Sequence, residues 1–329
     1  MAQTDLSLDE LWDYRPVVAE PADFDEFWGA QVADARSRPI DVEVSPVATP
    51  ATYAEVADVS FAGHGGDRVR AWLLTPHSLR NDAPIVVEFV GYGGGRGDPL
   101  EWATWSIAGY PHLIMDTRGQ GGGWRTSDTP DPGDGGAPSS KGFLTRGVAA
   151  PETHYYTRLF IDAARAVDAA RALPGRSSSA VLVTGASQGG ALTLAAAHLA
   201  GDVAGAAPDV PFLSHIRRGS EITDEMPYAE LAEYCRVRPR EVDQVFRTLS
   251  YVDVVNHARR ITAPGLFSVG LADQTTPPST VFAAYHAFGG PKQIRVYPFN
   301  GHEGGQVTHL HEKLEFAESC SPPRAVLPE

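Results

Sequence analysis

The 329-residue sequence predicts an α/β fold in which a mostly parallel central sheet is flanked by helices. Continuous apolar runs at 83–90 and 112–115 are typical of strands that are covered on both faces. Helical periodicity follows at 157–173, where Phe160, Ala164 and Val167 share one face. Because such strands and helices alternate along the chain, we expect most strands to be parallel.

The first predicted element is a hairpin. Residues 53–61 and 68–74 alternate between apolar and polar in strand fashion around a glycine-rich turn at 63–67. Further predicted strands lie at 181–185, 265–269 and 293–297, and further predicted helices at 190–199, 280–288 and 307–316.

Residues 208–262 interrupt this alternation. They contain acidic and aromatic helical segments, at 228–234 and 240–249, in place of a clear strand. We interpret the chain as a single domain over 1–329 with an insertion at about 208–262. The insertion either caps the functional site or makes oligomer contacts.

Composition disfavours several classes of function. The formal charge of −14, with only three lysines, argues against nucleic acid or an anionic membrane as a partner. The first residues lack the basic and apolar regions of a signal peptide, and no stretch is apolar enough to span a membrane. Two cysteines are too few for a disulfide framework, so we expect a reducing, cytoplasmic location.

Ser187 lies in the most informative segment of the chain. A short apolar strand leads into Gly185-Ala-Ser187-Gln-Gly189, and an alanine-rich helix follows. Glycines on both sides of a serine between a strand and a helix predict a nucleophile elbow, because they allow the close backbone approach that this strained turn needs. Ser187 is therefore the candidate nucleophile.

A serine nucleophile needs a base and an acid, which in this fold follow in the order serine, acid, histidine. Asp273 comes directly after the strand at 265–269, and His302 lies in the loop after the next strand. Asp253 is a competing acid, but no strand precedes it. The remaining late histidines, His309 and His311, fall on a predicted helix, where we expect them to lie at the surface.

Acyl transfer also needs N–H donors for the developing oxyanion. The Gln188 N–H follows the nucleophile, and the glycine-rich run at 90–95 follows an early strand, although these glycines alternatively form only a tight turn. The glycine runs do not match the dinucleotide-binding pattern, and His302-Glu303 does not continue into a zinc-binding H-E-x-x-H. We therefore expect no cofactor and no metal.

Three motifs together resemble a known family. Arg118-Gly-Gln120, the 185–189 elbow and His302-Glu303 resemble, in order and spacing, carbohydrate esterase family seven, the acetyl xylan esterases and cephalosporin C deacetylases. The similarity extends over the full length, including 115–121, 246–251 and 277–285.

The resemblance implies an α/β-hydrolase fold with a helical insertion before the strand that carries the acid. It implies a triad of Ser187, Asp273 and His302, with the backbone amides of Tyr92 and Gln188 in the oxyanion hole. Arg118 and Gln120 would tie loops together beneath the site. It also implies a homohexamer whose active sites open toward an internal cavity.

Bulky residues near the predicted site would shorten the acyl pocket to acetyl size, but the acetyl preference itself is mainly what the resemblance implies. The candidates are Trp105, Trp124, Phe212 and Pro227, although each aromatic residue taken alone is more often part of a core. The predicted function is the removal of acetyl groups from small acetylated alcohols. Alternatives are a broader short-chain carboxylesterase, a peptidase of the same fold, and a non-catalytic binding protein on this scaffold.

Overall fold

The computed structural model describes residues 3–134, 139, 141–175 and 180–321. These residues form a nine-stranded sheet. Its strands are β1 (Glu43–Val47), β2 (Ala54–Ala62), β3 (Arg68–Pro76), β4 (Ile85–Phe89), β5 (His112–Met115), β6 (Val181–Ala186), β7 (Gly205–Asp209), β8 (Gly265–Gly270) and β9 (Lys292–Tyr297).

The spatial order of the strands is β1-β2-β3-β5-β4-β6-β7-β8-β9. The pairs among β1, β2, β3 and β5 are antiparallel, and all pairs from β5 to β9 are parallel. The predicted α/β fold with a mostly parallel sheet is therefore confirmed, as is the opening hairpin, which β2 and β3 form.

Eleven α-helices accompany the sheet in the described residues. They are α1 (Leu8–Asp13), α2 (Phe24–Arg36), α3 (Ala103–Ile107), α4 (Tyr155–Ala172), α5 (Gln188–Ala200), α6 (Ile216–Ile222), α7 (Ala229–Val237), α8 (Val242–Val252), α9 (Val254–Ala258), α10 (Pro278–Ala287) and α11 (Gln306–Ser319). Among the described residues, no helix combines the length and apolar character that crossing a bilayer would need.

The central strands are covered on both faces, because successive side chains of a strand point to opposite sides. Val87 of β4 packs in a core with Phe160 of α4 and Ala195 of α5. Its neighbour Val86 packs on the other face with Phe316 of α11. This double burial explains why these strands are continuous apolar runs in the sequence.

In the second half of the chain, two features differ from the sequence prediction. The segment at 205–209 forms β7, and so the stretch at 208–262 begins with the last two residues of a central strand before α6 to α9 follow. The expectation that His309 lies at the surface is wrong: it is buried, with its Nε2 atom 2.8 Å from Asp209 Oδ1 and its Nδ1 atom 3.1 Å from the Tyr297 hydroxyl. His311, by contrast, is exposed.

Candidate active site

Ser187 occupies a strained turn between β6 and α5. Its φ of +58° and ψ of −118° lie in a region that residues other than glycine rarely adopt. The turn is held because the Ser187 N–H donates to the Asp209 carbonyl at 2.9 Å and its own carbonyl accepts from the Phe212 N–H at 3.0 Å. The hydroxyl is thereby placed at the N-terminus of α5, as a nucleophile elbow requires.

The flanking glycines are required by close backbone contacts. A Cβ atom at Gly189 would lie 2.2 Å from the Phe89 carbonyl oxygen, and one at Gly185 would lie 2.6 Å from the Gly189 carbonyl carbon. No side chain fits at these distances, so the elbow depends on glycine at both positions.

Asp273 and His302 form a hydrogen-bonded pair. Asp273 is buried in the turn after β8, and its Oδ2 atom lies 2.9 Å from His302 Nδ1. The same carboxylate accepts the N–H groups of Thr275 and Thr276 at 2.8 and 2.9 Å and the Thr276 hydroxyl at 2.6 Å. With Asp273 accepting a hydrogen bond from Nδ1–H, Nε2 is the ring nitrogen of His302 that remains to act as the base.

His302 and Ser187 line one cavity of about 450 Å³. Within the described residues, the Ser187 hydroxyl makes no hydrogen bond to His302. Such catalytic hydrogen bonds commonly tighten only when substrate binds. The structure therefore brings the three predicted triad residues to one site. In this site the hydrogen bond between Ser187 and His302 is not formed.

Asp253, the competing acid, occupies a different environment. Its buried carboxylate accepts the N–H groups of His215, Ile216 and Val255 at 3.0, 2.8 and 3.1 Å. Burial raises the pKa of Asp253 to about 6. It caps α9 and does not contact His302, so it is a structural residue.

The two predicted oxyanion donors come from separate segments that Gln120 joins. Gln188 is the first residue of α5, where an N–H group has no intrahelical acceptor. The Gln120 side-chain oxygen accepts the Gly93 N–H at 2.7 Å, and its amide donates to Gln188 Oε1 at 2.8 Å. The Gln188 amide in turn donates to the Val90 carbonyl at 3.1 Å. The two segments that carry the predicted donors are thus bound to each other.

Arg118 supports this arrangement from below. Its guanidinium is fully buried and contacts Asp162, Asp67 and Asp131. Burial opposes its charge, but these carboxylates, chiefly Asp162, raise the pKa of Arg118. Its carbonyl accepts the Tyr155 hydroxyl at 2.6 Å, and that hydroxyl accepts from the Gln120 amide at 3.0 Å. Arg118 and Gln120 therefore connect loops beneath the site.

The side chain of Tyr92 is bound to the helical segment between β7 and β8. Its hydroxyl donates to Glu230 of α7, and the Glu230 carboxylate also accepts the Gly142 and Leu144 N–H groups at 2.9 and 3.3 Å. Burial and the Glu230 charge raise the pKa of Tyr92. The sequence analysis missed Glu230, because only a contact between residues far apart in the sequence reveals its role.

Of the predicted pocket residues, Trp124 lines the cavity. Its indole N–H donates to the Tyr92 carbonyl at 2.9 Å. The prediction that Trp105 lines it is wrong, because its ring is buried in the core between β4 and α11. Phe212 lies beneath the site, packed on Tyr92 and Tyr228 with ring centroids 6.3 and 4.7 Å away.

Pro227, which follows a cis peptide bond, is buried and is likewise not among the described residues that line the cavity. Among the residues that line it without having been predicted are Glu88, Trp102 and Arg125. Within the described ranges, no three His, Cys, Asp or Glu side chains are grouped so as to hold a metal ion.

Comparison with known proteins places this chain in a family. The model of the acetyl xylan esterase family matches residues 1–320. The chain belongs to the acetyl xylan esterase family. It is thus an acetyl esterase with an α/β-hydrolase fold.

Relatives in this family align over most of the chain. The acetyl xylan esterase from Paenibacillus sp. R4 is 37% identical with a TM-score of 0.87, covering 95% of this chain and 99% of its own. Acetyl xylan esterase 1 from Thermoanaerobacterium sp. JW/SL YS485 is 32% identical with a TM-score of 0.87, covering 97% and 100%. An acetyl esterase of Xylanibacter ruminicola is 27% identical over 308 residues, which are 91% of this chain and 67% of that protein.

For an acetyl esterase, the geometry supplies the parts that acyl transfer needs. A serine at a helix N-terminus, a histidine oriented by a buried carboxylate and two backbone segments with N–H groups meet at one cavity.

Proposed function

We propose that this acetyl esterase removes acetyl groups from small acetylated alcohols, namely acetylated xylo-oligosaccharides, acetylated sugars and cephalosporin C, through an acetyl-Ser187 intermediate. The observation that carries the proposal is the hydrogen-bonded Asp273–His302 pair beside Ser187, which stands on a glycine-dependent elbow in the same cavity.

In the first half of the reaction, His302 Nε2 takes the Ser187 proton while Oγ attacks the acetyl carbonyl carbon. The N–H groups of Tyr92 and Gln188 stabilise the oxyanion, an effect worth about 3 kcal/mol per donor. The intermediate then expels the alcohol, which receives its proton from His302.

In the second half, His302 takes a proton from water, and the resulting nucleophile attacks the acetyl-Ser187 carbonyl. Collapse of the second tetrahedral intermediate releases acetate, and the serine oxygen regains its proton from His302. Asp273 holds the imidazole in one tautomer throughout and stabilises its charged form. Water is the only co-reactant.

The position of Trp124 supports the proposal of a short acyl pocket. Its indole N–H binds the Tyr92 carbonyl, and a Cβ atom at Gly94 would lie only 2.6 Å from its ring, although 55% of the residue is exposed. The ring therefore packs on the 90–95 loop, and we propose that an acyl chain longer than acetyl would have to displace it.

The test is a rate series on p-nitrophenyl acetate, butyrate and octanoate with wild type, Ser187→Ala and Ser78→Ala, where Ser78 is an exposed serine that serves as the matched control. We expect rates to fall steeply from acetate to octanoate, and activity to be lost only in Ser187→Ala. Release of acetate from acetylated xylose, measured alongside, tests the sugar substrate. Activity within tenfold of wild type in Ser187→Ala would refute the mechanism, and equal rates across chain lengths would refute the acetyl preference.

Following the family resemblance, we also propose a cytoplasmic homohexamer of single-domain subunits in which the 208–262 segment contributes contacts. Sedimentation velocity tests the assembly: a species of six chains is expected, and a monomer at micromolar concentration would contradict it.

A further inference from the structure

Glu88 of β4 presents a carboxylate to the cavity that contains Ser187 and His302. One oxygen, Oε2, accepts the Trp105 indole N–H at 3.1 Å and lies 2.9 Å from His112 Nε2. The other oxygen, Oε1, has no hydrogen-bond partner among the described residues, and 20% of the side chain is exposed. The cavity wall therefore contains a strong acceptor with a free oxygen.

This carboxylate is charged at neutral pH. Burial opposes its ionisation, but the adjacent His112 and the nearby ammonium of Lys313 outweigh burial and lower the pKa of Glu88. Lys313 is itself buried and bound to Asp209 at 2.7 Å. These neighbours thus favour the ionised form of Glu88.

Arg125 is the only arginine or lysine among the described residues that line the cavity, and it already has a partner. Arg125 donates to Glu101 at 3.0 Å, and its guanidinium lies 4.1 Å from the Trp102 ring and 4.8 Å from the Trp124 ring. The two indoles give the cavity apolar surface, while Glu88 gives it a polar group that can fix the orientation of a ligand.

The carboxylate suits the alcohol part of the ester and not the acetyl part. An acetyl methyl has no donor, so placing it against an ionised carboxylate would remove water from the charge without replacing its hydrogen bonds. A hydroxyl of a sugar supplies such a bond, and hydrogen bonds to a charged acceptor are stronger than neutral ones.

We propose that Glu88 is a specificity-determining residue that accepts a hydrogen bond from a neutral hydroxyl of the leaving alcohol and disfavours alcohols that carry a carboxylate. This inference rests on the proposed deacetylation at Ser187. It orders the substrates of that function: neutral acetylated sugars are preferred over cephalosporin C, which carries carboxylates.

The test uses three aryl acetates with one frame: 3-hydroxyphenyl acetate, phenyl acetate and 3-acetoxybenzoate. The kcat/KM values are divided by the rates of alkaline hydrolysis to remove differences in intrinsic reactivity. Wild type, Glu88→Gln and the control Glu55→Gln, an exposed position on β2, are compared. We expect wild type and Glu55→Gln to favour the hydroxyl compound and discriminate against the carboxylate.

In Glu88→Gln, both preferences should shrink by about tenfold, since the charge is lost while shape and a weaker acceptor remain. Unchanged ratios in a variant with the wild-type circular dichroism spectrum would overturn the proposal. If Glu88→Gln does not fold, wild type still decides: equal corrected rates for phenyl acetate and 3-acetoxybenzoate would overturn it. Hydrolysis of phenyl acetate that survives Ser187→Ala would instead refute the proposed function, whatever the ratios.

Discussion

Glu230 should affect both stability and catalysis, although it does not line the cavity. Its buried carboxylate accepts the Tyr92 hydroxyl and the N–H groups of Gly142 and Leu144. In Glu230→Gln, one oxygen becomes an NH₂ group that cannot accept, so at least one buried donor loses its partner. An unsatisfied buried donor costs about 1–3 kcal/mol, and the remaining bonds lose their charge assistance. We expect a loss of about 2–4 kcal/mol in the free energy of unfolding.

The same change should lower kcat, because the Tyr92 segment is a predicted side of the oxyanion hole. Complete removal of one oxyanion donor costs about 100-fold to 1,000-fold in kcat. Since Glu230→Gln would shift the donor without deleting it, we expect a smaller loss, about tenfold. KM for p-nitrophenyl acetate should change less than kcat, because the donors act mainly on the transition state.

A double-mutant cycle separates this effect from general destabilisation. Tyr92→Phe, Glu230→Gln and the double variant are compared by urea unfolding and by kcat, with Glu233→Gln as the control because Glu233 is an exposed residue of the same helix. We expect a coupling of about 1–2 kcal/mol between Tyr92 and Glu230. Additive effects, or a Glu230→Gln variant as stable as Glu233→Gln, would refute the reasoning.

Three other predictions concern the elbow, the triad and pH. Gly189→Ala should abolish or strongly reduce soluble, active protein, because its Cβ would lie 2.2 Å from the Phe89 carbonyl oxygen; Gly29→Ala, with nothing within 4 Å, should melt at or above the wild-type temperature. Asp273→Asn should lower kcat by about 10,000-fold with little change in KM, and a loss below tenfold would contradict its role. Burial lowers the pKa of His154 to about 4, so stability should fall as pH drops from 6.5 toward 4.

The sign of the His154 effect follows from proton binding. In that pH window the unfolded chain binds a proton at His154 that the folded chain excludes. Each unit by which the pH falls therefore lowers the free energy of unfolding by about 1.4 kcal/mol. The variant His154→Gln keeps a donor for the Leu144 carbonyl. Its free energy of unfolding, measured in urea, should change by about 1.4 kcal/mol less per pH unit in this window, which corresponds to one proton. An unchanged pH dependence would contradict the prediction.

The central sheet could be predicted because burial on both faces imposes continuous apolar runs, as in β4 and β6. Strand β7 escaped prediction because Gly-Ala-Ala-Pro-Asp has little intrinsic strand preference, and it is extended because β6 and β8 pair with it on either side. The edge strand β1 and the helices α1 and α2 also went unpredicted. Few of their side chains are buried, namely Leu11 in α1 and Phe24, Trp28 and Ala35 in α2, and none in β1, so their apolar periodicity is weak.

Some residues of the candidate site could likewise be predicted from local sequence patterns, and others could not. Ser187, Asp273 and His302 follow strand ends in a fixed order, so local patterns indicate them. Glu230 binds Tyr92, Gly142 and Leu144, which are 86 to 138 residues away in the sequence. Glu88 is found only because it lines the cavity, so no local pattern marks either residue. Trp105 was placed wrongly because bulk alone does not distinguish a core ring from one that faces a cavity.

The contact between Gly189 and the Phe89 carbonyl has a consequence for engineering. The position of the nucleophile is set by contacts between main-chain atoms, and not by the side chains that face the substrate. Variation at Glu88 can therefore alter which esters are accepted while Ser187 keeps its position, whereas variation at Trp124 would also disturb the Tyr92 segment that its indole N–H binds. A library confined to Glu88 would search substrate preference with Ser187 in place, whereas one that includes the elbow glycines would mostly sample chains that fail to fold.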